Sequence, residues 1–385
     1  MNKVTDVVIA HNSVVSLHVQ LHNQLQHLIL SGRWPHATRI PSESQFAEHL
    51  NVSRSTVRLA LQQAEIEGLI ERLAGRGTFV AYLSTKEHES HLIGFVTCGL
   101  DAENHLLILN GAENEVKVHG YQLVFSSAQS HQEEIDALKR MKEEDVAGVL
   151  LWPNIDGSRP QQQNTSIYQQ LHLPIVTMDR RINGFDCDCV TSDNYGGAKA
   201  LMRHLVELGH RHVAFLSHYE MDLLPVTERY QAYREVLQEA DLTPTDPWFI
   251  GHVGKEIGAS YALRSSVDPR SPELQQIKDY ISNARPCPTA IFALNDYLAV
   301  LATRAMKLLD LRVPEAVSIT GFDDIDLAVH LEVPLTTVAQ DWFAIGKRAA
   351  QLLIDRIEGY SGPAVCEIVP TQLRVRSSTS VPVRV

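Results

Sequence analysis

Two groups of side chains in this 385-residue sequence have the types and spacing to do chemistry. The first is Arg54, Ser55, Thr56 and Arg58, followed further on by Arg76 between Gly75 and Gly77. Guanidinium and hydroxyl groups donate to phosphate oxygens and to base edges. A cation on a glycine-flanked tip can enter a minor groove. The second group follows short apolar runs: Asp179-Arg180 after PIVTM, Asn295-Asp296 after IFAL, Asp323-Asp324 after SITGF, and Gln340-Asp341 with Trp342-Phe343 after LTTVA. Carboxylates and amides at strand ends hydrogen-bond hydroxyls in pairs, and an aromatic beside them covers the C–H face of a sugar. Taken singly, such residues cap helices, and Asn295-Asp296 directly precedes the helical stretch YLAVLATRAMKLL. Taken together they point to a polyol or sugar site.

The elements that must position the first group run from about residue 16 to 82. Leu17, Val19, Leu21, Leu25, Leu28, Ile29 and Leu30 predict a helix over 16–31, stopped by Gly32. Ser42-x-x-Gln45 has the form of a capping box and starts a second helix with Phe46, Ala47 and Leu50 inward. Asn51 suits a left-handed turn. Ser53 then caps a third helix with Val57, Ala60, Leu61 and Ala64 inward, which leaves Arg54, Ser55, Thr56 and Arg58 on its outward N-terminal turns. Gly68 ends that helix, and Leu69–Leu73 and Thr78–Tyr82 alternate as strands around the glycine-rich tip. Helix, turn, helix and hairpin make a winged helix-turn-helix, which sets a helix in the DNA major groove; it is assigned residues 13–82.

Residues 83–91 are polar and aperiodic, as in a linker. From 92 to 376 the pattern alternates. HLIGFVTC, YQLVFSSA, VAGVLLW and PIVTMD, then HVAFLS, PTAIFAL and VSITGF, are apolar runs separated by helical stretches, the first two at about 105–119 and 132–144. This alternation predicts an α/β fold with doubly wound parallel sheets in two lobes, binding ligand at strand C-termini or between lobes. The polar residues of the second group stand where such a ligand would lie.

The formal net charge of -12 is unevenly spread. Residues 1–85 hold seven Lys/Arg against six Asp/Glu, and the remainder 27 against 40, so phosphate attraction is confined to one end. The five cysteines (98, 187, 189, 287 and 366) form no disulfide framework or paired zinc spacing, and Cys187-x-Cys189 reads as strand residues in a reducing compartment. No secretion signal or membrane-length apolar run is present, which predicts a cytoplasmic protein with no membrane partner. The 92–376 region lacks a GxSxG elbow, HExxH motif, Walker loop or GxGxxG fingerprint, so an enzyme is not expected, and neither a cofactor nor a metal. His210 and His212 are read as a basic group meeting a helix dipole rather than as metal ligands.

LHVQLHNQLQHLILSGRW, RIPSESQFAEHLNVSRSTVRLALQQAEIEGLI and ERLAGRGTFVA, over about 17–81, resemble the N-terminal domain of the GntR family of bacterial regulators. The resemblance implies DNA contacts from Arg54, Thr56 and Arg58, phosphate contacts from Ser42 and Ser53, and a wing tip at Gly75, Arg76 and Gly77. Many relatives carry Arg after the Ser-Glu pair; here it is Ser44. VTSDNYGGAKALMRHLVELGHRHVAFLS, PTAIFALNDYLAVLATRAMKLLDLRVPEAVSITGFDDID and PLTTVAQDWFAIGKRAAQLLIDRIEG resemble the effector domain of the LacI/GalR family, which is similar to periplasmic sugar-binding proteins. By matched position this implies a pocket of Asp179, Arg229, Asn295, Asp323 and Gln340, walled by Trp342. Ala232 stands where relatives carry glycine, and the loop 99–105 lies where relatives line the pocket mouth.

The two resemblances together imply a homodimeric repressor on palindromic double-stranded operator DNA, released by a small-molecule effector such as a sugar, with an arabinose-like pentose the first to test. The alternative from a different class is a DNA-binding regulator fused to a catalytic small-molecule domain.

Overall fold

Apolar residues at helical spacing bury one face of helix α1 (Leu17–Leu30), where Leu21, Leu25, Leu28 and Ile29 are sealed from solvent. They meet Phe46 and Leu50 of α2 (Glu43–Leu50) and Val57, Ala60, Leu61 and Ala64 of α3 (Arg54–Ile66) in one core. Trp34 completes it, fully buried with its indole N–H donating to Asp6 at 3.0 Å. The predicted capping box is present: Ser42 Oγ accepts from the Gln45 amide at 3.3 Å and Gln45 Oε1 from the Ser42 amide at 2.8 Å. Asn51 turns the chain at φ 53° and ψ 47°, the left-handed conformation that Asn tolerates. Strands β1 (Ile70–Leu73) and β2 (Gly77–Val80) pair antiparallel as the wing; of the expected Thr78–Tyr82, Tyr82 lies outside the described residues.

This computed structural model describes residues 4–9, 16–30, 33–73, 77–81, 90–99, 102–154, 165–218, 223–250 and 259–383. Gly75, Arg76 and most of the expected linker 83–91 lie outside them. The chain divides into two units, Met1–His91 with Ile354–Pro363, and Leu92–Leu353 with Ala364–Val385.

The second unit alternates strand and helix through β3 (Leu92–Thr97), α4 (Glu103–Val118), β4 (Gln122–Ser127), α5 (His131–Glu143), β5 (Gly148–Leu151), α6 (Ser166–Leu171), β6 (Ile175–Met178) and β7 (Asp188–Ser192). It continues with α7 (Asn194–Glu207), β8 (Val213–His218), α8 (Leu224–Glu239), β9 (Trp248–Ile250), α9 (Ala259–Val267), α10 (Pro272–Asn283), β10 (Ala290–Ala293), α11 (Asp296–Leu308), β11 (Ser318–Thr320), α12 (Asp326–His330) and β12 (Thr337–Ala339). It closes with α13 (Trp342–Ile357), of which the part up to Leu353 belongs to this unit, β13 (Cys366–Val369) and β14 (Gln372–Arg374). Two parallel sheets result, of order β13-β7-β6-β5-β3-β4 and β11-β10-β8-β9, with β12 and β14 paired antiparallel. The strands β5, β6, β8 and β10 are buried along their whole length, as parallel strands covered on both faces must be.

Strand order reverses between β3 and β5 in one sheet and between β8 and β10 in the other. Ligands of open α/β sheets sit outside the strand C-termini at such reversals. The chain passes between the sheets at Asp193, Gln340-Asp341 and residues 370–371. Two of these crossings are tied together, Asp193 N–H to Val369 O at 2.9 Å and Thr371 Oγ1 to Asp193 O at 3.1 Å.

Helices α4 and α13 cross at backbone contact. A Cβ on Gly111 would lie 2.0 Å from the Phe343 carbonyl oxygen, and one on Gly346 would lie 2.0 Å from that of Ile108. Alanine adds about 1 kcal/mol of helix propensity over glycine, but forcing two backbones apart costs roughly 1–3 kcal/mol or more. Gly346→Ala is therefore expected to lower the denaturant midpoint of the second unit; an unchanged midpoint would show that the helices part freely.

His210 corrects the expected pairing with a helix dipole. It is buried, with Nε2 2.9 Å from the Ser380 carbonyl oxygen and Nδ1 2.9 Å from Thr289 Oγ1. A carbonyl only accepts, so Nε2 carries the proton and the neutral ring accepts at Nδ1. Burial, helped by His204, lowers its pKa. The stability it contributes is present above the unfolded value, about 6.5, and is lost as pH falls through the lower folded value. Melting temperature is expected to fall on acidification below about pH 6.5, and His210→Gln to flatten that dependence; an identical profile in the variant would assign it elsewhere.

Candidate functional site

In the first unit, Ser53 Oγ accepts from the Thr56 amide at 3.1 Å and lies 2.7 Å from both Ser55 Oγ and Thr56 Oγ1. This hydroxyl cluster sits at the N-terminus of α3, an arrangement that donates to a phosphate oxygen. Arg54 is exposed and has no partner among the described residues. Arg58 is also exposed, but its Nε and Nη2 reach Glu43 Oε2 at 3.3 and 3.2 Å. Glu43 Oε1 takes a longer bond, 3.4 Å, from Arg72. Ser42 caps α2 on the exposed side, and Ser44 beside it is exposed. Gly77 has φ 113°, a conformation that side chains other than glycine's resist, and its vacant Cβ position lies 2.8 Å from Arg39 Nε. Arg39 and Arg72 thus add cations beside the wing. Neither stood out in the sequence, since Arg39 precedes the second helix and Arg72 lies within the strand run before the glycine-rich tip.

In the second unit the first polar centre is Arg229 on α8, buried to 5% exposure. Its Nε and Nη2 both donate to Asn194 Oδ1, at 2.9 and 2.7 Å, and Nη1 donates to the Leu294 carbonyl at 2.8 Å. Its face lies 3.7 Å from the Phe322 ring centroid. Ala232, in place of the relatives' glycine, is fully buried in the same helix. Nη1 is 3.9 Å from Asp323 Oδ1, which accepts from Gln340 Nε2 at 2.6 Å. Burial pulls the Arg229 pKa down; Asp323 first, then Asp179, pull it back up. Asp179 follows β6 at φ 63°, anchored by its amide to Val190 O at 2.8 Å.

Asn295, expected in the pocket, also serves the fold. Its Oδ1 accepts from the Leu298 amide at 2.9 Å, so it caps α11. Its neighbour Asp296 is wholly internal, accepting from Ile325 N–H at 3.0 Å and Thr337 Oγ1 at 2.6 Å. Burial, then Asp323, holds that carboxyl well above the usual range. Gly321 makes this possible, since a Cβ there would lie 2.1 Å from Asp296 Oδ1.

The second centre is aromatic. Trp342 opens α13 and stacks on Trp152, which follows β5, at 5.7 Å and 19°. His105 of α4 meets Trp152 edge-on at 4.6 Å. Trp152 Nε1, Trp342 Nε1 and Gln340 Oε1 are buried without a hydrogen-bond partner among the described residues. Two donors and an acceptor left unmet in one region need a partner, because such groups are seldom left unpaired. Asn194 and Trp152 were missed in the sequence. The first reads as part of the helix start in Asp193-Asn194, the second as the last residue of a strand core.

Among the described residues no helix is long and apolar enough to cross a membrane and no group of His, Cys, Asp or Glu is arranged to hold a metal ion.

Residues 17–80 match the family described as bacterial regulatory proteins, gntR family, and residues 202–379 match the periplasmic binding protein-like domain. An arabinose metabolism transcriptional repressor from Geobacillus stearothermophilus is 31% identical over 94% of this chain and 97% of its own length. A second protein of that description, from Halalkalibacterium halodurans, is 28% identical over 87% of this chain and 88% of its own. Among solved structures, a periplasmic binding protein/LacI transcriptional regulator from Alkaliphilus metalliredigens, complexed with D-xylulofuranose, superposes with a TM-score of 0.62 at 23% identity, covering 75% of this chain and 99% of the other. That likeness shows the two-lobed fold of the second unit.

Proposed function

We propose a function from one premise: this chain belongs to the family of arabinose metabolism transcriptional repressors, with a gntR-type head and a periplasmic-binding-protein-like body. It is a transcriptional regulator, and its relatives are repressors rather than enzymes. Our reading is that it represses sugar-utilisation genes from the cytoplasm and is released from its operator by a neutral sugar, first of all a pentose such as arabinose.

The observation that carries the effector class is the set of unmet buried groups, Trp152 Nε1, Trp342 Nε1 and Gln340 Oε1, beside the Arg229–Asp323–Gln340 chain. Two donors and an acceptor match hydroxyl groups, and the indoles offer a face to C–H bonds. The Arg229 guanidinium stands against the carboxylates of Asp323 and Asp179, and buried Arg180 lies 3.6 Å from Asp179. Both cations are already matched by carboxylates that a phosphate would have to displace, so an uncharged sugar is favoured over its phosphate ester. Asp179, Arg229, Asp323, Gln340 and Trp342 are the proposed effector contacts, with Asn194 and Trp152 added; Asn295 supports them by fixing the start of α11.

For the head, we assign Arg54, Thr56 and Arg58 to DNA, Ser42 and Ser53 to phosphates, and Gly75, Arg76 and Gly77 to the wing tip. A homodimer on a palindrome follows from the need to place two such helices in successive major grooves.

Calorimetric titration with arabinose, ribose, xylose and a pentose 5-phosphate tests the effector class, alongside fluorescence anisotropy of operator DNA. Binding of a neutral pentose together with loss of operator affinity is the expected result. Binding of the phosphate alone, or turnover of the sugar, would overturn it.

A further inference from the structure

We propose that Cys366 and Cys189 form a dithiol that a small peroxide oxidises to a disulfide, a modification site at the edge of the six-stranded sheet. Cys366 opens β13, the edge strand, and Cys189 lies on β7; the two are in register across parallel strands. Registered Cα atoms on neighbouring strands are about 4.8 Å apart, inside the disulfide range of roughly 4.4–6.8 Å. Their side chains leave the same face of the sheet. Flanking bonds hold the pair in place: Cys189 N–H to Val365 O at 2.9 Å, and Val365 N–H to Asp188 Oδ1 at 2.8 Å.

The two sulfurs have different surroundings. Cys189 is buried, whereas Cys366 is partly open to solvent. Arg181 Nε donates to Cys366 Sγ at 3.2 Å. The neighbouring Cys189 thiol, then Arg181, hold Cys366 below the usual thiol range, while Cys366 and burial push Cys189 above it. An accessible thiolate beside a buried resolving thiol is the arrangement that redox-sensitive cysteines use.

The Cys366 thiolate sulfur attacks one oxygen of hydrogen peroxide, the O–O bond breaks, and the departing hydroxide takes a proton to become water. Cys366 is then a sulfenic acid, oxidised by two electrons. The Cys189 sulfur next displaces the hydroxyl, forming the S–S bond and breaking the S–O bond. The Cys189 proton leaves with that hydroxide as a second water. Two thiols and one peroxide give one disulfide and two waters.

The test uses the full chain with the exposed Cys287 replaced (C287S). After treatment with stoichiometric hydrogen peroxide, alkylation and digestion, mass spectrometry is expected to find a Cys189–Cys366 linked peptide that dithiothreitol reverses. In C189S, dimedone is expected to label Cys366. Arg181→Ala is expected to slow oxidation by about tenfold through a smaller thiolate fraction, with an unchanged melting curve as the control for folding. If Cys366 and Cys189 stay fully alkylatable after peroxide, or if dimedone labels Cys98 or Cys187 instead, the proposal is overturned.

Discussion

Arg229→Ala is expected to abolish the effector response while leaving operator DNA binding in place. The substitution removes the two donors that Arg229 gives to Asn194 Oδ1 and the one it gives to the Leu294 carbonyl. It also takes from the buried carboxylates of Asp323, Asp179 and Asp296 a cation that acts on all three, while Asp296 stays under the charge of Asp323. Removing one partner of a buried charge pair costs about 3–5 kcal/mol, and each stranded buried acceptor adds roughly 1–3 kcal/mol. The second unit should therefore melt earlier, and thermal shift by effector should vanish. Arg229→Lys separates charge from geometry. A point ammonium cannot serve Asn194 and Leu294 at once, so it should recover stability before it recovers binding. Asp323→Asn keeps the shape, restores part of the stability, and should still lose binding. A normal ligand response in Arg229→Ala would remove Arg229 from the pocket.

How much of this was readable in the sequence depends on how far each contact reaches along the chain. The head was legible because its signals are local: Ser42 with Gln45, Asn51 at the turn, Ser53 with Thr56. The alternation of strands was legible for the same reason. The pocket was legible only by position, since Asp179, Asp323 and Gln340 each follow an apolar run. That Asp323 meets Arg229 and Gln340 depends on the crossings between the sheets, which no local pattern encodes. Asn295 kept the capping role that its place before a helix suggested. Asn194 looked like the same kind of residue, yet its oxygen turns to Arg229. Trp152 ended an apolar run and read as core, and only its unmet Nε1 marks it out. His210 was read as a charged partner of a helix end, but its burial between Thr289 and Ser380 makes it neutral.

Arg54→Ala is expected to weaken operator binding by about 1–3 kcal/mol, with effector binding unchanged. Arg58→Ala should cost less. Arg54 has no partner among the described residues and can meet DNA at once, whereas Arg58 is held by Glu43 at 3.2 Å. Before Arg58 turns to a phosphate or a base it must leave that carboxylate, and an exposed pair of this kind is worth about 0.2–1 kcal/mol. The loss on truncating Arg58 is reduced by that amount. Glu43→Gln should act in the opposite direction. It frees Arg58 and weakens the hold on Arg72, so affinity should rise and its salt dependence steepen as cations turn toward phosphates. Anisotropy titrations over a range of salt concentrations measure all three. A uniform loss across operator sequences would mark a phosphate contact, and a loss confined to one base pair a base contact. Unchanged binding in both arginine variants would sink the recognition-helix assignment. A larger loss for Arg58→Ala than for Arg54→Ala would mean that Glu43 orients Arg58 toward DNA rather than competing for it.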